Sequence, residues 1–385
     1  MTLSATSQLT SVREINDFQD LAALAPTWEA LLAETPGGTF FQSLPWLQTY
    51  WTHFGANQRL RVLVVSNGEE VIGILPLIIR TTRRRIATVK VLTYPLDEWG
   101  SFYGPIGSQT AATLTAALNH IRRTRRDWDV MELPWVDSEG DDRGETAQAL
   151  ENAGFQATRE TWQTSALIDL TVHGTWENYW ASRQSHWRNN VRRSEKKLAA
   201  RGKVTYVRYR SEPGQTLDAI CGELFDACEA IARASWQANS STGNTLVHEE
   251  VREFFRDCHV AANQAGSLDI NLLLLDGKPV AFNYAYHHQG SVFGLRTGFD
   301  AAAARDGAGS VLQARMIEDS FNRGDRTYNL GPGYLECKRY WLTETRPSFR
   351  YTHFPAAAPV AQLVRAKRSL QRMWYGQTQR VEPKK

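Results

Sequence analysis

Two segments of the chain consist of paired apolar runs on either side of a short turn, as β-hairpins do. Residues 61–75 form two runs rich in Val, Ile and Leu on either side of Asn67-Gly68, and residues 269–283 form two similar runs around Asp276-Gly277. Asn-Gly and Asp-Gly favour the type I′ turn, whose twist matches that of antiparallel strands. The pattern therefore predicts an equivalent hairpin in each half of the chain.

The elements predicted after each hairpin also follow the same order. Apolar residues spaced by three and four predict a helix opened by Gly107-Ser108 in the first half and one opened by Gly309-Ser310 in the second. A strand follows each helix, at residues 129–133 and 327–330. The repeated order indicates a duplication. We therefore expect an α/β (mixed α+β) fold of two tandem domains, each a twisted, mostly antiparallel sheet flanked by helices.

These patterns divide the chain into four parts. We predict a first domain over residues 12–172, a linking helix over 173–201, a second domain over 202–355 and a basic tail over 356–385. The linking segment is helical by pattern and strongly basic, with Arg188, Arg192, Arg193, Lys196, Lys197 and Arg201. The tail is weakly amphipathic; we expect a surface helix packed on the second domain, with peripheral membrane contact as the alternative.

Composition narrows the class of protein. The 385 residues are 42% hydrophobic and 22% charged, which is typical of globular domains, and the net charge of +3 is too small to predict DNA binding. The four cysteines have neither metal-ligand nor disulfide-like spacing, so no metal is expected. No apolar run is long enough to span a membrane, and the first ten residues do not resemble a secretory signal. We expect a cytoplasmic protein.

The segment from Arg305 to Leu312 (Arg-Asp-Gly-Ala-Gly-Ser-Val-Leu) is the best candidate for a phosphate site. Small residues let the backbone approach an anion, and the start of the following helix offers unpaired N–H groups and a positive dipole end. A predicted strand at residues 292–297 precedes it. A pyrophosphate would suit such a turn, although an ordinary glycine-rich helix start has the same sequence features.

The order of hairpin, strand, glycine-rich turn, helix and strand resembles the GNAT acyltransferase superfamily. Three further stretches resemble its CelD-like branch, which is related to the Fem-type peptidyltransferases: Phe41-Gln42-Ser43-Leu44-Pro45-Trp46-Leu47, Trp176-Glu177-Asn178-Tyr179-Trp180 followed by Arg188-Asn189-Asn190-Val191-Arg192-Arg193, and Gly331-Pro332-Gly333 followed by Cys337-Lys338-Arg339-Tyr340-Trp341. The resemblance covers roughly residues 12–355. It implies a GNAT-like fold in both domains, the first one degenerate.

The resemblance also implies acyl-CoA as the co-substrate, bound by residues at the end of the strand and in the glycine-rich turn: Arg296, Thr297, Arg305, Gly307, Ala308, Gly309 and Ser310. The sequence departs from the family pattern twice. The family's Gln or Arg three residues before the first glycine falls at Ala304, and its Tyr before the motif's lysine is Cys337.

The candidate catalytic residues are Glu336, Lys338 and Tyr340, which stand where the family places its acceptor-side residues. A thioester is already activated, so the protein must position the acceptor, accept its proton and stabilise the oxyanion. Glu336 and Tyr340 are four residues apart and would share a helical face, as base and as proton donor to the thiolate. Lys338 would anchor an acidic acceptor or a donor phosphate. A solvated Glu336 and a packed Tyr340 are the alternatives.

These observations predict an acyl-CoA-dependent N- or O-acyltransferase with a small-molecule or sugar acceptor. The resemblance suggests a role in cell-surface polysaccharide or sugar-precursor biosynthesis. One alternative is a Fem-like transferase that uses aminoacyl-tRNA, in which the basic linking helix would contact the RNA. The other is a non-catalytic scaffold that keeps the fold without the chemistry, because fold alone does not determine function.

Overall fold

The computed structural model describes residues 10–83, 87–96, 100–216, 219–235, 237 and 245–378. The strands in these residues are β1 (Thr10–Ile15), β2 (Gln58–Asn67), β3 (Glu70–Arg83), β4 (Thr88–Thr93), β5 (Val130–Val136), β6 (Ala157–Asp169), β7 (Val204–Arg210), β8 (Leu268–Leu275), β9 (Lys278–His288), β10 (Ser291–Phe299), β11 (Thr327–Pro332) and β12 (Glu344–His353). All of them belong to one sheet.

Helices cover the sheet and connect its strands. They are α1 (Ala25–Glu34), α2 (Leu44–Phe54), α3 (Thr110–Arg123), α4 (Glu145–Asn152), α5 (Trp176–Ser182), α6 (Ser185–Ala199), α7 (Ala219–Arg233), α8 (Glu249–Gln264), α9 (Ala301–Ala304), α10 (Ala308–Asn322), α11 (Leu335–Lys338) and α12 (Pro359–Thr378). Short 3-10 helices occur at Gln19–Leu24, Phe40–Gln42 and Gly55–Asn57. The predicted mixed α/β class with a large twisted sheet is confirmed.

The order of the strands in the sheet is symmetric. It runs β1-β2-β3-β4-β5-β12-β6-β11-β10-β9-β8-β7. A strand of the first half and the strand numbered six higher in the second half therefore lie at equal distances from the centre of the sheet. The pairs β4–β5 and β10–β11 are parallel, and these are also counterparts, whereas the other neighbours are antiparallel. The predicted hairpins β2–β3 and β8–β9 occupy equivalent places, as a duplication requires.

The two halves share both their sheet and their core. Strand β12 lies between β5 and β6, and β6 lies between β12 and β11, so each half contributes its last strand to the other. Phe41 packs edge-on against Tyr286 at 5.5 Å between ring centroids, and Trp46 packs in the same way against Phe254. The domain boundaries at 172, 201 and 355 stay a prediction; they fall between β6 and α5, between α6 and β7, and after β12.

The two hairpin turns differ from each other. Asp276 and Gly277 both have positive φ, 50° and 78°, which is the type I′ geometry predicted for that turn. In the first hairpin Asn67 pairs with Glu70, so the central residues are Gly68 and Glu69, with positive φ at Gly68 only. The prediction for the first turn was therefore wrong by one residue. A register shift between Val65 and Ser66 accompanies the change.

Two expectations for helices are also corrected. The linking segment forms two helices, because the extended backbone of Arg183 ends α5 before α6 begins. The tail helix α12 packs on the first half rather than on the second, since Ala361 and Val364 join Val89, Val91 and Val130 of β4 and β5 in one cluster. The reason is the position of β12, which leads the chain out beside β5.

A buried ion-pair network fixes the edge strand β7 to the sheet. Asp269 of β8 is fully buried and accepts hydrogen bonds from Arg208 at 2.8 Å and from Arg210 at 2.7 Å. Arg210 also pairs with Asp325, which precedes β11, at 2.8 Å. Burial alone would raise the pKa of Asp269, but the two guanidinium groups hold that pKa below its usual range. The carboxylate is therefore charged and fully paired inside the protein.

These groups predict how stability depends on pH. Burial lowers the pKa of His259 to about 4, and burial together with His287 lowers the pKa of His288 to about 4. The unfolded chain would bind protons on both imidazoles below about pH 6.5, while the folded chain does not. The melting temperature is therefore expected to fall between about pH 6.5 and 4, and further below about pH 3.9 as the depressed pKa of Asp269 is approached. Calorimetry across this range tests it, and a flat melting temperature down to pH 4 would contradict it.

Candidate active site

The parallel strands β10 and β11 separate near the middle of the second half. Their register runs only from Ser291 opposite Thr327 to Phe293 opposite Asn329, although β10 continues to Phe299 and β11 to Pro332. Beyond Gly294 the pairing of β10 with β9 shifts register as well. Beyond Phe293 and Asn329 no ladder joins the second part of β10 to the end of β11, and we call the region between these two segments the opening. Parallel strands that part in this way provide a place for a ligand between their carboxyl ends.

Lys338 lies at the end of β11, on one side of this opening. Its Nζ donates hydrogen bonds to the carbonyl oxygens of Gly331 and Pro332, both at 2.9 Å. Burial lowers the pKa of the Lys338 ammonium to about 8. An ammonium group has three donors, so one N–H remains for a ligand after these two bonds. The residue thus closes the turn after β11 and can also present a positive charge.

A second contact holds the same turn and reaches across the chain. Asn329 Oδ1 accepts a hydrogen bond from the backbone N–H of Gly331 at 2.8 Å, and Asn329 Nδ2 donates to Ser101 Oγ at 2.9 Å. Both side chains are buried, and Gly331 has φ of 79°. The first half therefore helps to shape the turn that carries Lys338. Sequence reasoning missed Asn329 and Ser101; a polar residue within the otherwise apolar β11 pattern was the available signal.

Glu336 and Tyr340 do not share a helical face. Helix α11 consists only of Leu335–Lys338, so Tyr340 follows it in a turn. Glu336 is 84% exposed and forms an ion pair with Arg339. The Tyr340 ring stacks on Trp187 of α6, with 4.5 Å between ring centroids, and its hydroxyl accepts a hydrogen bond from Arg339 at 2.7 Å. Tyr340 is thus held against α6, while Glu336 projects into solvent.

The glycine-rich turn lies at the start of α10, as predicted, but α6 packs beside it. Gly307 caps the helix with φ of 81°, and a Cβ at this position would lie 2.2 Å from Ser194 Oγ of α6. Ala308 is buried, and a Cβ on Gly309 would lie 3.0 Å from the Phe299 ring. Arg305 is exposed, and Asp306 forms an ion pair with Arg201. Gly309 and Ser310, at the start of α10, are partly exposed.

Arg296 and Thr297 lie on β10, across the opening from the end of β11. Arg296 Nη1 donates to the carbonyl oxygen of Leu295 at 2.6 Å, and burial lowers the pKa of its guanidinium to about 10. Thr297 Oγ1 donates to the carbonyl oxygen of Phe282 at 2.9 Å. Gln237, which the sequence reading missed, donates to the Thr297 carbonyl oxygen at 2.9 Å. The structure thus brings Arg296, Thr297 and Lys338 to the two strands that border the opening.

The counterpart of this opening in the first half is filled. The ladder between β4 and β5 also ends early, at Leu92 opposite Met131. Beyond it the ring of Tyr94 packs on that of Tyr103 at 4.8 Å, and Trp46 Nε1 donates to the carbonyl oxygen of Pro95 at 3.2 Å. All three aromatic residues are buried. Buried aromatic side chains therefore pack where this ladder ends in the first half.

Known proteins are similar to the second half of the chain in sequence and to nearly the whole chain in fold. Residues 185–339 match the family "Acetyltransferase (GNAT) domain". No curated protein matches the chain in sequence. Among solved structures, FemX is similar with a TM-score of 0.63 and 13% identity, covering 92% of this chain and 99% of its own.

Two other solved structures share the fold. One is the C-terminal domain of a putative lysylphosphatidylglycerol synthetase from Agrobacterium fabrum, with a TM-score of 0.52, 12% identity and coverage of 83% of this chain and 89% of its own. The other is a conserved protein of unknown function from Bacteroides thetaiotaomicron, with a TM-score of 0.56, 11% identity and coverage of 90% and 100%. The CelD-like branch stays a prediction. The fold is GNAT-like, and residues 185–339 are similar to the GNAT acetyltransferase domain.

Proposed function

We propose that this protein transfers an acyl group from acyl-CoA to an amine or hydroxyl acceptor, in the opening between β10 and β11. The observation that supports this most is the end of the β10–β11 ladder, with the half-buried Lys338 beside it, inside the part of the chain that matches the GNAT domain. The filled counterpart in the first half supports a single working site. A sugar or other small molecule would be the acceptor, in line with the resemblance to enzymes of polysaccharide biosynthesis.

Each of the candidate catalytic residues has a separate role in this transfer. The acceptor lies between the strand ends, and Lys338 uses its remaining N–H and its charge to hold an anionic group on it. Tyr340, fixed by its stack on Trp187, gives a proton to the departing thiolate. Glu336 is the proposed base that takes the proton of the acceptor. Because Glu336 is exposed, it would then release this proton to solvent. The pyrophosphate of CoA would meet the N–H of Gly309 and the positive dipole end of α10, since the Ser310 N–H already donates to the carbonyl oxygen of Gly307 at 3.0 Å.

The proposed position of the pyrophosphate predicts how variants of Gly309 bind acetyl-CoA. An Asp at this position would put a negative charge beside the pyrophosphate, so Gly309→Asp should weaken the binding of acetyl-CoA by at least about tenfold. Gly309→Ala is the matched control, because it adds the Cβ against Phe299 without the charge. Gly222→Asp, which adds a carboxylate where nothing lies within 4 Å, controls for net charge. Titration calorimetry measures the three affinities for acetyl-CoA. Equal affinities of Gly309→Asp and Gly309→Ala would contradict a pyrophosphate site at the start of α10.

One observation favours a second candidate, transfer from aminoacyl-tRNA as in the Fem-type alternative. Helix α6 exposes Arg192, Arg193, Lys196 and Lys197, as a phosphate-binding face would. Affinity for RNA through this face should fall steeply with salt, and Lys196→Glu with Lys197→Glu should reduce it. Native mass spectrometry of the purified protein separates the donors, because retained CoA supports the first proposal and retained RNA the second.

A further inference from the structure

The tail helix α12 has a second apolar stripe that faces away from the protein. Ala361 and Val364 point to the cluster on β4 and β5, and the side chain of Arg368 forms an ion pair with Glu132 on the same side. Leu363 and Leu370 are 53% and 62% exposed. They are seven residues apart, so they lie on one face of the helix, opposite the buried one.

Two more residues extend this outward stripe. Pro359 and Ala366 are exposed and precede Leu363 and Leu370 by four residues each, so the four side chains follow the spacing of a single helical face. Polar and basic residues flank the stripe on both sides, among them Gln362, Arg365, Lys367 and Ser369. A helix anchored on one face by its own protein would have a polar outer face if it met only water. This outer face is instead apolar and bordered by cations.

Charge indicates what kind of partner the stripe fits. Residues 356–385 contain seven Lys and Arg and one Glu, a net charge of +6, whereas the whole chain has +3, so the preceding residues carry −3. Apolar side chains on a narrow stripe between basic residues are the pattern of helices that lie in the interface of anionic membranes. The stripe is too narrow for a stable protein interface, which buries roughly 800 Å² on each side, and RNA binding needs no apolar stripe.

We propose that α12 binds the surface of anionic membranes, with Leu363 and Leu370 inserted among the lipid headgroups and the basic residues on the phosphates. No helix among the described residues is long and apolar enough to cross a membrane, so this contact is with the surface only. It attaches the protein to a membrane surface whichever acyl donor is used. The inference does not depend on the proposed function.

Vesicle co-sedimentation of the full chain tests the proposal. The protein should bind vesicles of equimolar phosphatidylcholine and phosphatidylglycerol, bind pure phosphatidylcholine much less, and dissociate from the anionic vesicles as salt rises. Leu363→Asp combined with Leu370→Asp should weaken binding by at least about tenfold, because two inserted side chains are lost. Both positions are exposed, so the melting temperature should not change.

Val172→Asp is the matched control, since Val172 is 68% exposed in the turn after β6. It should bind anionic vesicles as the wild-type chain does. Equal binding by the double variant, or no binding of the wild-type chain to anionic vesicles, would overturn the proposal. Light scattering that showed a dimer of the wild-type chain and a monomer of the double variant would overturn it in favour of a second copy on the stripe.

Discussion

Replacing Asp269 by Ala is expected to lower the free energy of unfolding by about 3–5 kcal/mol, because it removes the fully buried carboxylate that Arg208 and Arg210 share and leaves them only Asp319 and Asp325. Arg208 is 1% exposed and Arg210 is 13% exposed, so water cannot replace the lost carboxylate at Arg208. The same change also removes the acceptor of a 2.8 Å hydrogen bond from Asn271. Because Asp269 joins β7 to β8, the edge strand is expected to detach first.

Urea denaturation followed by tryptophan fluorescence measures this effect. Glu344→Ala is the control, because Glu344 pairs with Arg346 at 2.7 Å but is 44% exposed, and an exposed pair contributes only about 0–1 kcal/mol. Asp269→Asn keeps the acceptor oxygen without the charge and should cost an intermediate amount. A loss below about 1 kcal/mol for Asp269→Ala would mean that the network is not the element that holds β7.

Replacing Lys338 by Ala is expected to reduce acyl transfer by about ten- to a hundred-fold, while the affinity for acyl-CoA stays near normal. Losing one charged hydrogen bond in a partly buried site costs about 1.5–3 kcal/mol. The matched control is Lys278→Ala, since Lys278 is exposed at the start of β9. Steady-state kinetics with labelled acetyl-CoA gives kcat and the KM for acyl-CoA. An unchanged kcat/KM in Lys338→Ala would contradict a role of Lys338 in the site.

The pH dependence separates a binding role of Lys338 from a purely structural one. Its pKa is lowered to about 8 by burial, so the ammonium loses its proton as pH rises through that value. If the charge holds an anionic acceptor, the KM for this acceptor should increase above about pH 8 while the KM for acyl-CoA stays constant. A lysine that only closes the turn through Gly331 and Pro332 would change both constants together, through the shape of the site.

The sequence predicted the features of the fold that depend on neighbouring residues. The hairpin at Asp276-Gly277 follows from local turn chemistry, and the repeated order of elements follows from apolar spacing. The insertion of β12 between β5 and β6 could not be predicted, because pairing with a strand some two hundred residues away leaves no local pattern. The position of α12 on the first half depends on that insertion and was missed for the same reason.

Long-range contacts also limited what could be predicted about the candidate site. Its location after β11 stays a prediction, and because Asn329 contacts a residue 228 positions away, the polar residue in β11 does not indicate its partner Ser101. The shared face of Glu336 and Tyr340 was wrong because α11 has one turn only: it begins after Tyr334, whose φ is 49°, and ends at Lys338. A spacing of four residues indicates a common face only where the helix includes both residues.

An assay of acyl transfer from acyl-CoA tests the proposed function directly. The wild-type chain would be incubated with labelled acetyl-CoA or longer acyl-CoA and a set of amino sugars, and both acylated product and free CoA would be counted over time. If the proposed function is right, acylated product and free CoA appear in equal amounts, Tyr340→Phe releases CoA more slowly than the wild type, and Lys338→Ala is slower than both. Transfer from aminoacyl-tRNA but not from any acyl-CoA would contradict the proposed donor. No transfer from either would contradict an enzymatic role and leave a scaffold with a GNAT-like fold.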